Sequence, residues 1–122
     1  MLLLSKARVD YETIVNYASR GASGAHLAVG SGEAHVYMTE FDGGGGIGRH
    51  EAGFGQLFVI LSGSGWVSGD DGRRVEVGTG DVVYFQRGEH HAKGSDTGMR
   101  ALMVQVRDLT LSDTPGATHT PA

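Results

Sequence analysis

The segment GQLFVILSG, residues 55–63, holds the most apolar run of the chain. Turn-forming glycine or serine bounds it on both sides, and its centre combines branched and aromatic side chains that favour extended structure. A short apolar run of this kind is typical of a strand that is covered on both faces. Because side chains alternate between the two faces of a strand, we expect Gln56, Phe58 and Ile60 to share one face.

Segments of the same character lie on both sides of this run and predict further strands. They are rich in strand-forming residues and span residues 34–41, 66–68, 73–77, 81–85 and 99–106. A spacing of about 8–12 residues is typical of an all-β sandwich or barrel. Asp70-Asp71-Gly72 predicts a hairpin turn, and the glycines of residues 43–46 predict a turn between two strands. Residues 11–20 have some helical character, which tyrosine and the β-branched residues weaken.

The length and composition indicate one domain with a core of its own. The chain has 122 residues and a mass of 12.8 kDa. It contains no cysteine, which excludes disulfides, thiolate metal sites, iron–sulfur clusters and a cysteine nucleophile. We expect the domain to span residues 1–111. Residues 112–122 are small, polar and contain proline, and we expect them to form a flexible tail.

The charge balance argues against two classes of partner. Lys and Arg number 10 against 14 Asp and Glu, for a formal net charge of −4. Nucleic acids and anionic membranes attract clustered positive charge, so we expect this chain to bind neither. The apolar runs are short compared with a membrane span, and the first residues lack the pattern of a secretory signal. We therefore expect a cytoplasmic protein.

Histidine is the residue type that points to chemistry in this chain. Of the six histidines, His50 follows the glycine-rich turn, His91 belongs to an adjacent pair with His90, and His119 lies in the expected tail. Only one of two neighbours on a strand can face inward. His50 and His91 are distant in the sequence, so only the fold can bring them together.

The spacing around these histidines resembles the two motifs of the cupin family. The first motif is Gly, five residues, His-x-His, three or four residues, Glu, six residues, Gly; its positions here are Gly44, His50, Ala52, Gln56 and Gly63. The second is Gly, five residues, Pro-x-Gly, two residues, His, three residues, Asn; its positions here are Gly80, Gln86, Gly88, His91 and Ser95. The resemblance covers residues 34–106. It implies an all-β, single-domain cupin β-barrel, which is a double-stranded β-helix or jelly roll.

The departures from these motifs bear on metal binding. Cupins usually hold one divalent metal with two His and a Glu from the first motif and a His from the second. Here Ala52 replaces one His and Gln56 replaces the Glu. The resemblance therefore implies a reduced site in which His50, Gln56 and His91 hold one divalent transition metal (Zn, Fe, Ni or Mn). The alternative is a metal-free pocket with His50 and His91 as polar wall groups or an acid/base pair.

The other histidines are weaker candidates for such a site. His35 is a reserve ligand because it lies on the preceding strand, with Tyr37 and Thr39 on the same face, although the sequence leaves open which face is inside. His90 would enter the site only if the strand register were shifted by one residue. We expect His26 to be structural or exposed.

Charged residues adjoin the motif histidines, and we expect them to be solvated rather than catalytic. The carboxylates are Glu51 and Glu89, and the cations are Arg49 and Arg87. On a regular strand, an immediate neighbour of an inward histidine points outward.

Three functions remain open from the sequence. The first is a metal-dependent cupin enzyme, of the oxygenase, isomerase or lyase class, that acts on a small organic molecule inside the barrel. The second is a non-catalytic cupin that binds or senses a small molecule. The third is a metal-free isomerase or cyclase in which His50 or His91 is the general base. The resemblance also implies a homodimer in which residues 1–20 pack across the partner.

Overall fold

The computed structural model describes residues 1–4 and 9–112 of the chain. In these residues the regular structure is all strand: β1 (Leu2–Leu4), β2 (Glu12–Thr13), β3 (Ser23–Gly24), β4 (Ala28–Phe41), β5 (Gly45–Glu51), β6 (Gly55–Ser68), β7 (Arg74–Gly78), β8 (Val82–Phe85), β9 (His90–Ser95) and β10 (Met99–Leu111). Among the described residues, no helix is long and apolar enough to cross a membrane.

Eight of the ten described strands form two antiparallel sheets that share β6, and β2 pairs separately with β3. One sheet has the order β1-β8-β6-β10-β4. In the other, β9 pairs with both β5 and β6, and β7 pairs with β6. The first half of β6 pairs with β8 and β10, whereas its second half pairs with β7 and β9. This double use of one strand produces the double-stranded β-helix that the sequence predicts.

Gly63 lies where β6 passes from one sheet to the other. Its φ angle is +84°, a left-handed conformation that side chains oppose. A Cβ at this position would also lie 2.3 Å from the carbonyl oxygen of Gly98. Only glycine fits both conditions, which gives the last glycine of the first motif a structural reason.

The core lies between the inner faces of the two sheets. Gln56, Phe58 and Ile60 are 3%, 0% and 1% exposed, which confirms that they share the inner face. On the outer face, Leu57 and Val59 are half-buried and Leu61 is exposed. The expectation that this strand is covered on both faces is therefore wrong, because none of the described residues forms a second layer over its outer side.

The structure also revises several predicted boundaries. Residues 56–61 and 66–68 belong to one continuous strand, because glycines let β6 bend without ending. The turn predicted at residues 43–46 is present, with the Gly45 N–H donating to the Asp42 carbonyl at 2.7 Å, but β5 already begins at Gly45. Residues 11–20 contain β2 and no helix. Tyr17 and Ala18, with φ angles of 59° and 54°, interrupt any helical path.

The two ends of the chain are described only in part. β1 pairs with β8 of the same chain, where Leu4 is buried and Leu2 and Leu3 are half-buried. That residues 1–20 pack across a partner stays a prediction. Residues 5–8 and 113–122 lie outside the described residues, and so does most of the expected tail. Ser112 ends the described part, where its N–H donates to the Leu27 carbonyl at 3.0 Å.

Candidate functional site

The pairing of β5 with β9 brings the two motif histidines together. His50 and His91 are directly opposite in register, and their Nε2 atoms are 3.2 Å apart. The two ring centroids are 4.6 Å apart. His50 is exposed, whereas His91 is 2% exposed, so the pair runs from the surface into the barrel.

A carbonyl group fixes the protonation pattern of this pair. His50 Nδ1 lies 2.7 Å from the Gly48 carbonyl oxygen, which can only accept a hydrogen bond, so Nδ1 carries the proton. In neutral His50 the Nε2 atom is therefore an acceptor, and His91 Nε2–H donates to it. His91 Nδ1 is then a buried acceptor that finds no hydrogen-bond partner among the described residues.

Burial keeps His91 neutral. It lowers the pKa of His91 from its ordinary 6.5 to about 3, and the charges of Lys93, His50 and His90 act in the same direction. An imidazole with this pKa stays uncharged at physiological pH and offers one N–H donor and one lone pair. His91 therefore serves as a hydrogen-bond donor here, and the Nε2 lone pair of the exposed His50 is the acceptor of the pair.

A cavity of about 230 Å³ opens beside the pair. Seven residues line it: His50, Ala52, Gly53, Phe54, Gln56, His91 and Gln105. A cavity of about 150 Å³ is enough to hold benzene. The space therefore suits a small organic molecule up to the size of a substituted aromatic ring, with Phe54 as an apolar wall.

Lys93 is buried in the barrel directly behind Gln56. It is 1% exposed, and its Nζ donates a hydrogen bond to Gln56 Oε1. The same nitrogen lies 4.7 Å from the ring centroids of Phe58 and Phe85. Burial lowers the pKa of Lys93 from 10.5 to about 7. No sequence motif pointed to Lys93, although its position two residues after His91 on one strand places both side chains on the same face.

The donor set fits a metal only in part. Two imidazole nitrogens on one zinc ion stand about 3.3 Å apart in tetrahedral geometry, close to the 3.2 Å found here. The third expected ligand, Gln56 Oε1, accepts from Lys93 instead. No group of three or more His, Cys, Asp or Glu side chains in residues 1–4 and 9–112 could hold a metal. A divalent ion would also lie near a buried ammonium group, which opposes its binding.

The reserve histidines lie outside this centre. His35 pairs in register with Gln105, a cavity residue, so His35 is on the inner face that the sequence left open. Its ring stacks on Phe54 at 5.9 Å and its Nε2 lies 2.5 Å from Glu33 Oε2, which makes it part of the rim. His90 is exposed, and its N–H donates to Asp70 Oδ1 at 2.7 Å.

His26 contacts the residue that follows β10. Its Nδ1 lies 2.7 Å from Ser112 Oγ, a contact between the segment before β4 and the residue after β10. His26 is half-buried, and this contact agrees with the structural role expected for it.

The charged neighbours of the motif histidines differ from one another. Glu51 is exposed, as expected. Glu89 is 8% exposed and not solvated, which corrects the sequence prediction. Its Oε1 accepts the Gln86 N–H at 3.0 Å and its Oε2 accepts from the Met1 amino group, because the turn before β9 folds inward.

The two arginines beside the motifs hold structure. Arg49 donates to the Gly69 and Asp70 carbonyls at 2.9 and 2.8 Å, so it clamps the β6–β7 turn. Arg87 forms an exposed ion pair with Asp108 at 3.3 Å. Neither contact lies among the residues of the cavity.

A jelly-roll barrel with a histidine pair facing an internal cavity defines a class of small β-barrel proteins that bind small molecules. Comparison with protein families matches residues 36–105 to the family described as Cupin domain. The match covers more than half of the chain, and the chain belongs to the cupin family. Solved structures agree on the fold.

Two of these structures illustrate the likeness. A conserved protein of unknown function from Streptococcus pyogenes has a TM-score of 0.59 at 24% identity, over 68% of this chain and 72% of that one. A cupin superfamily protein from Desulfitobacterium hafniense has a TM-score of 0.58 at 18% identity, over 67% and 77%. At these identities the likeness concerns the fold alone.

A curated relative carries an enzyme name. This chain is 35% identical over 69 residues to the (R)-mandelonitrile lyase of Granulicella tundricola. The match covers 55% of this chain and 53% of the relative, so the chain spans about half the length of that protein.

Proposed function

We propose that this cupin is a lyase that converts a small α-hydroxy compound into a carbonyl compound by proton transfer at His50, with His91 as a hydrogen-bond donor. The observation that carries this proposal is the His50–His91 pair, with Nε2 atoms 3.2 Å apart beside a cavity of about 230 Å³. The likeness to a mandelonitrile lyase supports the choice of reaction class.

A substrate hydroxyl group suits the two nitrogens. Placed beside the pair, it would replace their mutual hydrogen bond, donating its proton to His50 Nε2 and accepting a hydrogen bond from His91 Nε2–H. For a cyanohydrin, His50 takes the hydroxyl proton, the oxygen forms the carbonyl double bond, and the bond between carbon and the nitrile group breaks. Cyanide leaves with the electron pair and takes the proton back from His50, so the products are an aldehyde and hydrogen cyanide.

The first test is the cleavage of mandelonitrile, followed as benzaldehyde release above the spontaneous background. We expect turnover by the wild type and a loss of about 100-fold or more in His50→Ala, in the range for removal of a general base. His90→Ala is the matched control, because His90 is the exposed neighbour of His91, and it should keep full activity. No turnover of mandelonitrile or of other α-hydroxy compounds by the wild type would contradict the proposal.

Binding measurements separate an enzyme from a sensor. Calorimetric titration with benzyl alcohol, which cannot be cleaved, should show that His50→Ala still binds an aromatic alcohol while it no longer turns over substrate. Equal binding by all variants with no turnover by the wild type would instead favour a non-catalytic small-molecule-binding cupin.

A site for one divalent transition metal (Zn, Fe, Ni or Mn) at His50, Gln56 and His91 is the second candidate. The separation of the two imidazole nitrogens favours it. It requires Lys93 to release Gln56, whose oxygen it now holds. Metal analysis of untagged protein and of the His50→Ala/His91→Ala double variant is the test. Stoichiometric metal that the double variant lacks would support this candidate, and proton-transfer activity that survives chelation would refute it.

We further propose that the protein is a homodimer in the cytoplasm. Within residues 1–4 and 9–112, β4 pairs with β10 alone and its other edge has no partner strand. Val36 and Met38 on this strand are 63% and 53% exposed, which suits a contact with a second copy. Light scattering at micromolar concentration tests the dimer, and a monomeric mass would refute it.

A further inference from the structure

We propose that the cavity beside the histidine pair binds a small organic carboxylate, with Gln56 as the contact group and Lys93 as the counter-charge behind it. The role of His50 as the acceptor of a hydroxyl proton rests on the proposed function. Binding of the anion does not depend on turnover.

The first support is a buried cation with no acidic partner. Lys93 is 1% exposed, and none of the ion pairs among the described residues includes it. Its contacts are Gln56 Oε1, the rings of Phe58 and Phe85, and Met103 Sδ at 4.0 Å. Buried charges in proteins are normally paired. A neighbouring anion would supply the pairing that the described residues do not.

The second support is the orientation of Gln56 between Lys93 and the cavity. Because its oxygen accepts from Lys93, the side chain has its amide N–H groups left to offer a ligand. An amide whose oxygen is bonded to a cation is polarised, and its N–H groups become stronger donors to an anion. Gln56 thus connects a buried positive charge to a donor at the cavity wall.

The third support is the character of the cavity lining. None of its seven residues is acidic, so nothing in the wall repels a carboxylate. Gln105 stands directly opposite Gln56 in register and supplies a second amide. His91 Nε2–H is a further neutral donor nearby. A ligand whose carboxylate accepts from these donors and whose hydroxyl group lies at the histidine pair is a 2-hydroxycarboxylate, which we take as the ligand class.

The test compares benzoate with benzamide, its neutral counterpart, by calorimetric titration of chelator-treated protein. We expect the wild type to bind benzoate at least ten times more tightly than benzamide. Lys93→Met, which keeps the length of the side chain and removes its charge, should lose that preference while it still binds benzamide. Arg100→Met removes the same formal charge from an exposed position and should leave both affinities unchanged.

Gln56→Leu is the second variant, in case Lys93→Met does not fold as judged by circular dichroism, and it should lose the preference for benzoate in the same way. Equal wild-type affinity for the two probes, or an undiminished preference in either folded variant, would overturn the proposal. Stronger benzoate binding by Lys93→Met would also overturn it, because removal of the positive charge should weaken the binding of an anion. Mandelonitrile turnover is measured separately, so failure of the lyase proposal and failure of this one give different results.

Discussion

Replacing Lys93 by methionine should stabilise the folded protein below neutral pH and lose that advantage as the pH rises. The pKa of Lys93 is about 7 in the folded chain against 10.5 as the ordinary value. This difference corresponds to about 5 kcal/mol by which burial disfavours the charged form. Methionine escapes this penalty but leaves Gln56 Oε1 without its donor, which costs about 1–3 kcal/mol. We therefore expect a net gain of about 2–4 kcal/mol near pH 6.

The sign of the pH dependence follows from proton binding. Below about pH 7 both the folded and the unfolded wild type carry the Lys93 proton, so the full penalty applies. Between about pH 7 and 10.5 only the unfolded state carries it, so wild-type stability rises by about 1.4 kcal/mol per pH unit. The advantage of Lys93→Met should accordingly shrink by about 3 kcal/mol between pH 7 and pH 9.

Urea unfolding can measure this difference, with the fluorescence of Trp66, the single tryptophan, as the probe. Subtracting the two unfolding free energies at each pH cancels the contributions of the titrating groups that both proteins share. Arg100→Met, an exposed charge, should change stability by less than about 0.5 kcal/mol at every pH. A wild-type-minus-variant difference that is constant between pH 7 and pH 9 would refute the reasoning, as would a Lys93→Met protein that is less stable near pH 6.

Three further outcomes are expected. The pKa of His91 is about 3 in the folded chain against an ordinary 6.5, so between pH 3 and pH 6.5 the unfolded state binds one more proton. Stability should therefore fall by about 1.4 kcal/mol per pH unit as the pH drops through this range. His91→Phe should lack this slope in urea unfolding at the same pH values. Gly63→Ala should cost at least about 2 kcal/mol in the same assay, whereas Gly48→Ala, where a Cβ meets nothing within 4 Å, should be close to neutral; equal effects would contradict the strain argument. The double variant Ala52→His/Lys93→Met supplies a third imidazole and removes the ammonium, so it should bind zinc in equilibrium dialysis more tightly than the wild type, and unchanged affinity would show that Lys93 does not oppose a metal.

The sequence was informative wherever local spacing determines structure. The glycine frame around Gly63 is readable because a left-handed turn at a close backbone approach admits no other residue. The pairing of His50 with His91 was predictable through the resemblance, since the motif spacing fixes where β5 and β9 meet. That Gln56, Phe58 and Ile60 share one face of β6 followed from strand alternation, and the resemblance implied that this face is the inner one.

What the sequence could not show depends on residues that break the usual rules of burial. Lysine and glutamate are almost always exposed, yet Lys93 and Glu89 are buried by contacts with residues far away in the chain. The glycines at the start of β5 favour a loop by local preference, and only pairing with β9 makes them a strand. The engagement of Gln56 by Lys93 likewise depends on tertiary contacts that no local pattern records.

The continuity of β6 has a consequence for how ligands are selected. Gln56 and Gln105 belong to one sheet and His50 and His91 to the other, and a single backbone runs through both. The two walls of the cavity therefore cannot move apart to admit a larger ligand. The segment between β5 and β6, which carries the half-buried ring of Phe54, is the part of the wall left to adjust. We therefore expect substitutions at Phe54 to change the size of the ligand that the cavity accepts, while the polar end of the cavity keeps its shape.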